Sequence, residues 1–331
     1  MKKFLFRITT LILVFLFAAF LGELYMRIVL KNELNANGIG PATAEFNSRY
    51  VQLNSKGQRD CEHEYENKEK KIRIVGIGDS YHFGAGIKNI NDLYFMKLAS
   101  ELNEKFDSSF EIINISKGGW NIAKYYQMLT TEGIKYSPDF VILGIVFNDI
   151  ETPDMYSQFT PLKLFFISDR VEWFLRNNSY LYYSIESRIT RIYDTYFRKT
   201  DYVGLLVSQY NDNSPVFKGF IEYFDKISEF CKSRNIKLIT VLLPCIAQRD
   251  EDMKIMNKCV LQIKNKVENK TDIIFDANTI FLGCDYRKYS VSEYDMHPNE
   301  AANKEIADSL YPAVLPVFER AAVRRKSVQI P

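Results

Sequence analysis

Apolar and polar positions change their rhythm several times along this chain of 331 residues. Lys2, Lys3 and Arg7 precede an uncharged run from Ile8 to Gly22. A helix over that run alone rises roughly 22 Å, short of the ~30 Å hydrocarbon core of a bilayer. Counted from Phe4 to Leu30, with Arg7 and Arg27 reaching to the two interfaces, the segment is long enough. The pattern predicts an N-terminal signal anchor, a transmembrane helix over residues 1–31. A cleaved signal peptide has the same basic start and apolar stretch, but its cleavage site wants a pair of small residues. Here Ala18 and Ala19 run into Phe20, Leu21, Gly22 and Glu23, which favours the uncleaved anchor. In both cases the basic flank stays in the cytoplasm and the remainder is exported. The expected location is the cell membrane, single-pass, with the globular part periplasmic or extracellular.

Residues 32–71 are polar and poorly periodic, ending in a charge-dense stretch from Asp60 to Lys71. They read as a tether and an irregular lead-in. An alternation then begins. Short β-branched runs at Ile72–Gly78, Glu111–Ile115 and Phe140–Ile145 predict strands, separated by helical spacing over Asn91–Phe106 and Asn121–Gly133. It resumes later with helices at Phe217–Arg234 and Asp252–Val267 and strands at Lys237–Leu243 and Asp272–Phe275. A last helix opens just after Pro298 and runs to about Arg320. Strands alternating with helices argue for an α/β domain over 72–320, with a parallel sheet covered on both faces.

Between these two halves, residues 151–215 break the alternation with a dense set of aromatics, Phe159, Phe165, Phe166, Trp173, Phe174 and Tyr180 among them, and several arginines. The segment reads as a helical insertion. Its aromatics are expected to pack on the main sheet, with a lid or polymer-binding surface and contact with a membrane surface as the other readings. Residues 321–331, with Arg324, Arg325 and Lys326, read as a frayed basic tail.

Composition narrows the function classes. Hydrophobic residues at 47% and charged residues at 25% are ordinary for a globular protein and exclude a largely disordered one. With 43 Lys+Arg against 41 Asp+Glu, the chain lacks the basic footprint of a nucleic-acid partner. Five cysteines without a C-x-x-C pair suggest neither a zinc knuckle nor a redox pair, and leave disulfides and free thiols both open.

The candidate chemistry starts where the first strand ends, at Gly76-Ile77-Gly78-Asp79-Ser80-Tyr81. A dinucleotide fingerprint needs a third glycine where Tyr81 stands, and a phosphate loop needs a Gly-Lys-Ser/Thr that does not follow. The G-x-S-x-G elbow needs glycine where His82 stands. What survives is Gly-Asp-Ser at the carboxyl end of a strand, where open α/β sheets place their ligands. A serine nucleophile needs a base, and the chain has three histidines. His63, in Cys61-Glu62-His63-Glu64, is expected on the surface and lacks a second histidine at metal-ligand spacing. His82, two residues after Ser80, reads as structural. His297 stands in Asp295-Met296-His297-Pro298-Asn299, where Asp295 is placed to hold the imidazole tautomer and Pro298 suits the first position of a helix. Gly118-Gly119 after the second strand and Asn148 after the third offer a backbone N–H and an amide to a developing oxyanion.

Gly78-Asp79-Ser80, Gly119, Asn148 and Asp295-x-His297, in this order at the ends of alternating elements, resemble the SGNH (GDSL) hydrolases. The resemblance implies a three-layer α/β/α sandwich of the flavodoxin-like kind. It implies Ser80 as nucleophile, His297 as base and Asp295 as orienter. The oxyanion hole would be the Ser80 N–H, the Gly119 N–H and the Asn148 side chain, with Gly118 replacing Gly119 if the loop is shifted by one. No cofactor and no metal are implied. Ser116 stands where many members have glycine, and His82 where threonine is common. The implied activity is ester hydrolysis on the exported side of the membrane, deacylating (for example deacetylating) a carbohydrate or other small-molecule or polysaccharide ester. An O-acyltransferase uses the same residues, and a non-catalytic anchored assembly or binding protein is the third reading.

Overall fold

The computed structural model describes residues 2–34, 38–107, 109–157, 162–198, 200–292 and 295–329. Phe159 of the aromatic set lies outside them. The chain begins with helices α1 (Lys2–Val29) and α2 (Pro41–Tyr50), followed by β1 (Ile72–Ile77), the single turn α3 (Ser80–Phe83), α4 (Tyr94–Lys105) and β2 (Phe110–Asn114). Next come α5 (Ile122–Thr131), β3 (Phe140–Ile145), α6 (Pro153–Ser157), α7 (Asp169–Asn178), α8 (Tyr180–Phe197) and α9 (Tyr202–Gln209). The last stretch holds α10 (Pro215–Ser233), β4 (Lys237–Leu242), α11 (Asp250–Val267), β5 (Ile273–Asp276), α12 (Tyr286–Tyr289), β6 (Ser290–Ser292), β7 (Asp295–Pro298) and α13 (Glu300–Gln329).

Strands β1 to β5 form one parallel sheet in the order β2-β1-β3-β4-β5, with Ile74 opposite both Ile112 and Phe140, and Ile142 opposite Ile239. Every residue of β1 and β3 is buried, which is why these strands read as unbroken apolar runs rather than as alternating ones. Helices α4 and α13 cover one face and α5, α10 and α11 the other. Phe318 of α13 sets its ring against those of Phe110 and Phe140, at 5.5 and 4.6 Å between centroids. The result is a three-layer α/β/α sandwich. Its strand order reverses between β1 and β3, so the crevice at their carboxyl ends is the natural place for a ligand.

Four expectations need correction. The lead-in is irregular from residue 51 on but is no loose tether: α2 buries Ala42 and Phe46, and the buried Arg59 guanidinium donates to the carbonyls of Phe83, Gly84 and Ile87. His63 is buried rather than exposed, with Nδ1 2.8 Å from Glu111 and Nε2 3.1 Å from Asp60. Burial opposes its protonation, yet the two carboxylates win and raise it to about 9. With a carboxylate on each ring nitrogen, His63 is an imidazolium in an ion-pair network that also includes Arg73, 2.7 Å from Glu111. The basic end is not frayed, because α13 continues through Pro312 and Pro316 to Gln329 and Arg325 pairs with Asp139. Finally, much of the aromatic insertion leaves the sheet alone. Trp173 and Phe174 are exposed, and α7 and α8 pack on α2 and α1. The five cysteines are all free.

Candidate active site

Asp79, directly after the β1–Gly78 junction, caps α3: its Oδ1 accepts the N–H of Tyr81 at 2.9 Å. That cap starts the helical turn at Ser80 and lifts the serine to the sheet's carboxyl edge. Backbone approaches backbone closely here. A Cβ on Gly78 would lie 2.5 Å from the Cβ of His82 and 3.1 Å from the carbonyl of Gly144. Gly118 closes on the serine from the β2 side, where its Cβ would meet that of Ser80 at 3.5 Å.

His297 arrives from the far end of the sequence on β7, which pairs antiparallel with β6 and is tied to the segment after β4 by the Ile246 N–H on the Met296 carbonyl, 3.2 Å. The first helical residue is Glu300 and not Pro298, which ends β7; Asn299 caps α13 by accepting the N–H of Ala302 at 3.0 Å, so His297 sits on a strand. Within Asp295-Met296-His297 one carboxylate oxygen does two jobs. Asp295 Oδ1 accepts the backbone N–H of His297 at 3.0 Å and meets its Nδ1 at 2.5 Å. The local turn thus aims the carboxylate, and the carboxylate fixes the tautomer that leaves Nε2 free to accept. Nε2 lies 2.7 Å from Ser80 Oγ. The Tyr81 ring, 4.3 Å from the imidazole, holds it from the side.

Burial alone would pull His297 below its ordinary range, but the charges of Asp295 and Asp79 outweigh it and hold the imidazole above. Asp295 responds in the opposite sense: burial pushes it up, and His297 brings it below the usual carboxylate range. Asp79 is raised by its complete burial. Its Oδ2 stands 3.2 Å from Ser80 Oγ, a longer and weaker alternative to the histidine.

A cavity of about 590 Å³ opens over Ser80 and is lined by Gly118, Gly119, Asn148 and Asp295. Gly119 has φ +76°, a left-handed conformation that turns the loop after β2 around the serine. Asn148 follows β3 on a 3₁₀ turn, with its side chain hydrogen-bonded to Asp79 and its Oδ1 buried without a partner. The turn is pinned by the buried Asp149, whose carboxylate accepts the Val146 N–H at 2.9 Å and the Tyr125 hydroxyl at 2.5 Å. Ser80, Gly119, Asn148 and Asp295 therefore line one cavity, and His297 reaches it through Ser80 Oγ. His82 lies outside it, fully buried beneath β1 and β3 with Nδ1 2.9 Å from the Tyr94 hydroxyl.

Sequence reasoning missed the opposite wall. Phe46 and Thr43 of α2, Trp120, Glu151 and Tyr202 all face the cavity. The Tyr202 hydroxyl donates to Glu151 at 3.0 Å, while the other oxygen of Glu151 is buried without a partner. Trp120 directly after Gly118-Gly119 carried a signal, since an element placing a loop at Ser80 also places the next residue. Phe46 and Tyr202 carried none, because nothing local marks a tether helix or an insertion as part of a cavity wall.

No protein-family model matches the sequence, and no curated protein matches it. Among solved structures the chain is similar to a lipase, Lip_vut3, from a goat rumen metagenome, at 12% identity and a TM-score of 0.47, covering 73% of this chain and 97% of that one. It is also similar to TesA, at 10% identity and a TM-score of 0.45 over 74% and 98% of the two chains. A third is Axe2, an acetylxylan esterase from Geobacillus stearothermophilus, at 12% identity and a TM-score of 0.44 over 73% and 93%.

Proposed function

We propose that this chain is a serine ester hydrolase of the SGNH (GDSL) kind, anchored in the membrane by α1 and acting on the exported side. The carrying observation is the run of contacts from Asp295 to His297 to Ser80, at 2.5 and 2.7 Å, opening on a cavity that also holds Gly119 and Asn148. In this reading His297 Nε2 takes the Ser80 proton as Oγ attacks the ester carbonyl. The carbonyl π electrons move to oxygen, where the N–H groups of Ser80 and Gly119 and the Asn148 amide receive the charge. Collapse of the tetrahedral species expels the alcohol, which takes the proton from His297, and water releases the acid by the same steps in reverse order. Asp295 stabilises the transient imidazolium without itself taking the proton.

The substrate class we propose is a carbohydrate ester with a small acyl group. The cavity is lined by Phe46 and Trp120 together with the polar residues Thr43, Asn121 and Glu151, a mixture that suits a sugar ring with its apolar faces and equatorial hydroxyls.

The test is labelling of the full chain in detergent with a fluorophosphonate, beside Ser80→Ala and His297→Ala. Labelling of the parent alone is the expected result. A folded parent that stays unlabelled, or a Ser80→Ala variant that labels equally, overturns the reading. Acid release from an acetylated oligosaccharide, with and without an added sugar acceptor, then separates hydrolysis from acyl transfer.

A further inference from the structure

Helices α7 and α8 turn large apolar side chains outward. Trp173 is 64% exposed and Phe174 57%, and on α8 the exposed Ile185, Ile189, Ile192 and Tyr196 fall at i, i+4, i+7 and i+11, one face of a helix. A stripe of that kind facing water marks a surface that something apolar covers. On α7 the exposed Asp169 is paired with Lys163 at 2.6 Å, and the unpaired exposed charges of α8 have one sign. Arg188 and Arg191 are exposed, whereas the acids of α8 are each committed to an ion pair, Glu186 with Arg176 at 2.6 Å and Asp194 with Arg198 at 3.1 Å.

The position of α8 says what covers the stripe. Its first turn is fastened to α1 by Glu23, whose carboxylate accepts the Ser179 hydroxyl at 2.8 Å and the N–H groups of Tyr180 and Leu181 at 3.2 and 2.9 Å. Arg27 pairs with Glu23 at 3.1 Å and lays its guanidinium over the Tyr180 ring. Gly22 lets the helices close further, since its Cβ would stand 3.3 Å from Leu181. The uncharged run of α1 ends at Gly22. The start of α8 is therefore fixed beside Glu23 and Arg27, in the last two turns of α1, where Arg27 reaches the interface of the bilayer that a spanning α1 crosses.

We propose that α7 and α8 lie in the interface of the bilayer that α1 crosses, with the apolar stripe towards the acyl chains and Arg188 and Arg191 among anionic headgroups. This rests on α1 as a membrane helix and not on the esterase chemistry. The insertion then sets the tilt of the whole domain on the membrane, which a single helix and a flexible tether cannot do.

The chain has two tryptophans, Trp120 in the cavity and Trp173 on α7. Trp120→Phe and Trp173→Phe each leave one reporter. Full-length protein would be reconstituted into phosphatidylcholine–phosphatidylglycerol vesicles with and without acyl-chain bromine, and carbonate-resistant recovery would establish insertion of α1 independently. The expected result is emission from Trp173 that is shifted to the blue and roughly halved by brominated lipid, with Trp120 little affected. Ile189→Glu with Ile192→Glu, helical by circular dichroism, should weaken the quenching of Trp173. An inserted protein whose Trp173 is not quenched overturns the proposal. A blue-shifted but unquenched Trp173 assigns the stripe to a second copy of the chain and overturns it equally, as does equal quenching of both tryptophans.

Discussion

At the scale of single residues, the proposed chemistry turns on the charge of the His297 imidazole. It accepts the Ser80 proton only when neutral, and Asp295 and Asp79 hold its pKa above the ordinary histidine range despite burial. The sign follows directly. As pH falls through that raised value the base becomes protonated, so the acid limb of kcat/KM is expected above pH ~6.5. Asp295→Asn removes one of the two charges and leaves burial less opposed. The limb should move to lower pH while kcat falls by about 10⁴, because the amide no longer favours the tautomer with Nε2 free. A pH profile on a chromogenic acetate ester reads both effects. A limb that stays in place in Asp295→Asn would show that Asp295 does not set the base.

At the scale of elements, β1 and β3 are joined through His82 as well as through their ladder. Cβ atoms on Gly76, Gly78 and Gly144 would lie 2.5, 2.5 and 2.6 Å from atoms of that side chain, so three glycines make its seat. The ring stacks on Phe95 at 4.1 Å, and burial pushes it down to about 3, which keeps it neutral at any physiological pH. Gly144→Ala should therefore cost about 1–3 kcal/mol through overpacking, without altering the chemistry of His297. In His82→Ala, where the seat is empty, the same substitution should cost much less. Thermal unfolding of the four proteins in detergent gives the coupling, and additive losses would refute the packing account. The same glycines explain what was legible in the sequence. Gly76, Gly78 and Gly144 punctuate apolar runs whose burial on both faces makes them unmistakable as parallel strands. Ser80 and Asn148 were legible because each follows such a punctuated strand end, and His297 because Asp295 stands two residues before it. The seat itself was not legible, since a histidine two residues after a serine gives no sign of which way it points. Nor was α2, whose amphipathic turn hides in a polar stretch and shows its purpose only when Phe46 meets the cavity wall across from Ser80.

At the scale of the whole molecule, anchor and cavity are close neighbours. Leu34 lines the cavity and lies five residues beyond Val29, the end of α1, a reach of at most about 17 Å. A cavity mouth that near the end of α1 fits the proposed enzyme working on polymer or glycoconjugate at the membrane surface. Which surface depends on the direction of α1. Lys2, Lys3 and Arg7 lie before the apolar run, and Arg27 and Lys31 after it, with Arg27 neutralised by Glu23. The asymmetry therefore favours the N-terminus in the cytoplasm and Ser80 outside. Cysteine reporters decide it. In a Cys61→Ser, Cys284→Ser background the remaining thiols, Cys231, Cys245 and Cys259, are buried and silent. Lys68, whose side chain is 73% exposed, offers a site on the side of the α/β domain, and Lys3 one at the other end of α1. A membrane-impermeant maleimide added to intact protoplasts or spheroplasts should label Lys68→Cys at once and Lys3→Cys only after permeabilisation. The reverse pattern would place the serine in the cytoplasm and remove every exported polymer from the substrates open to it.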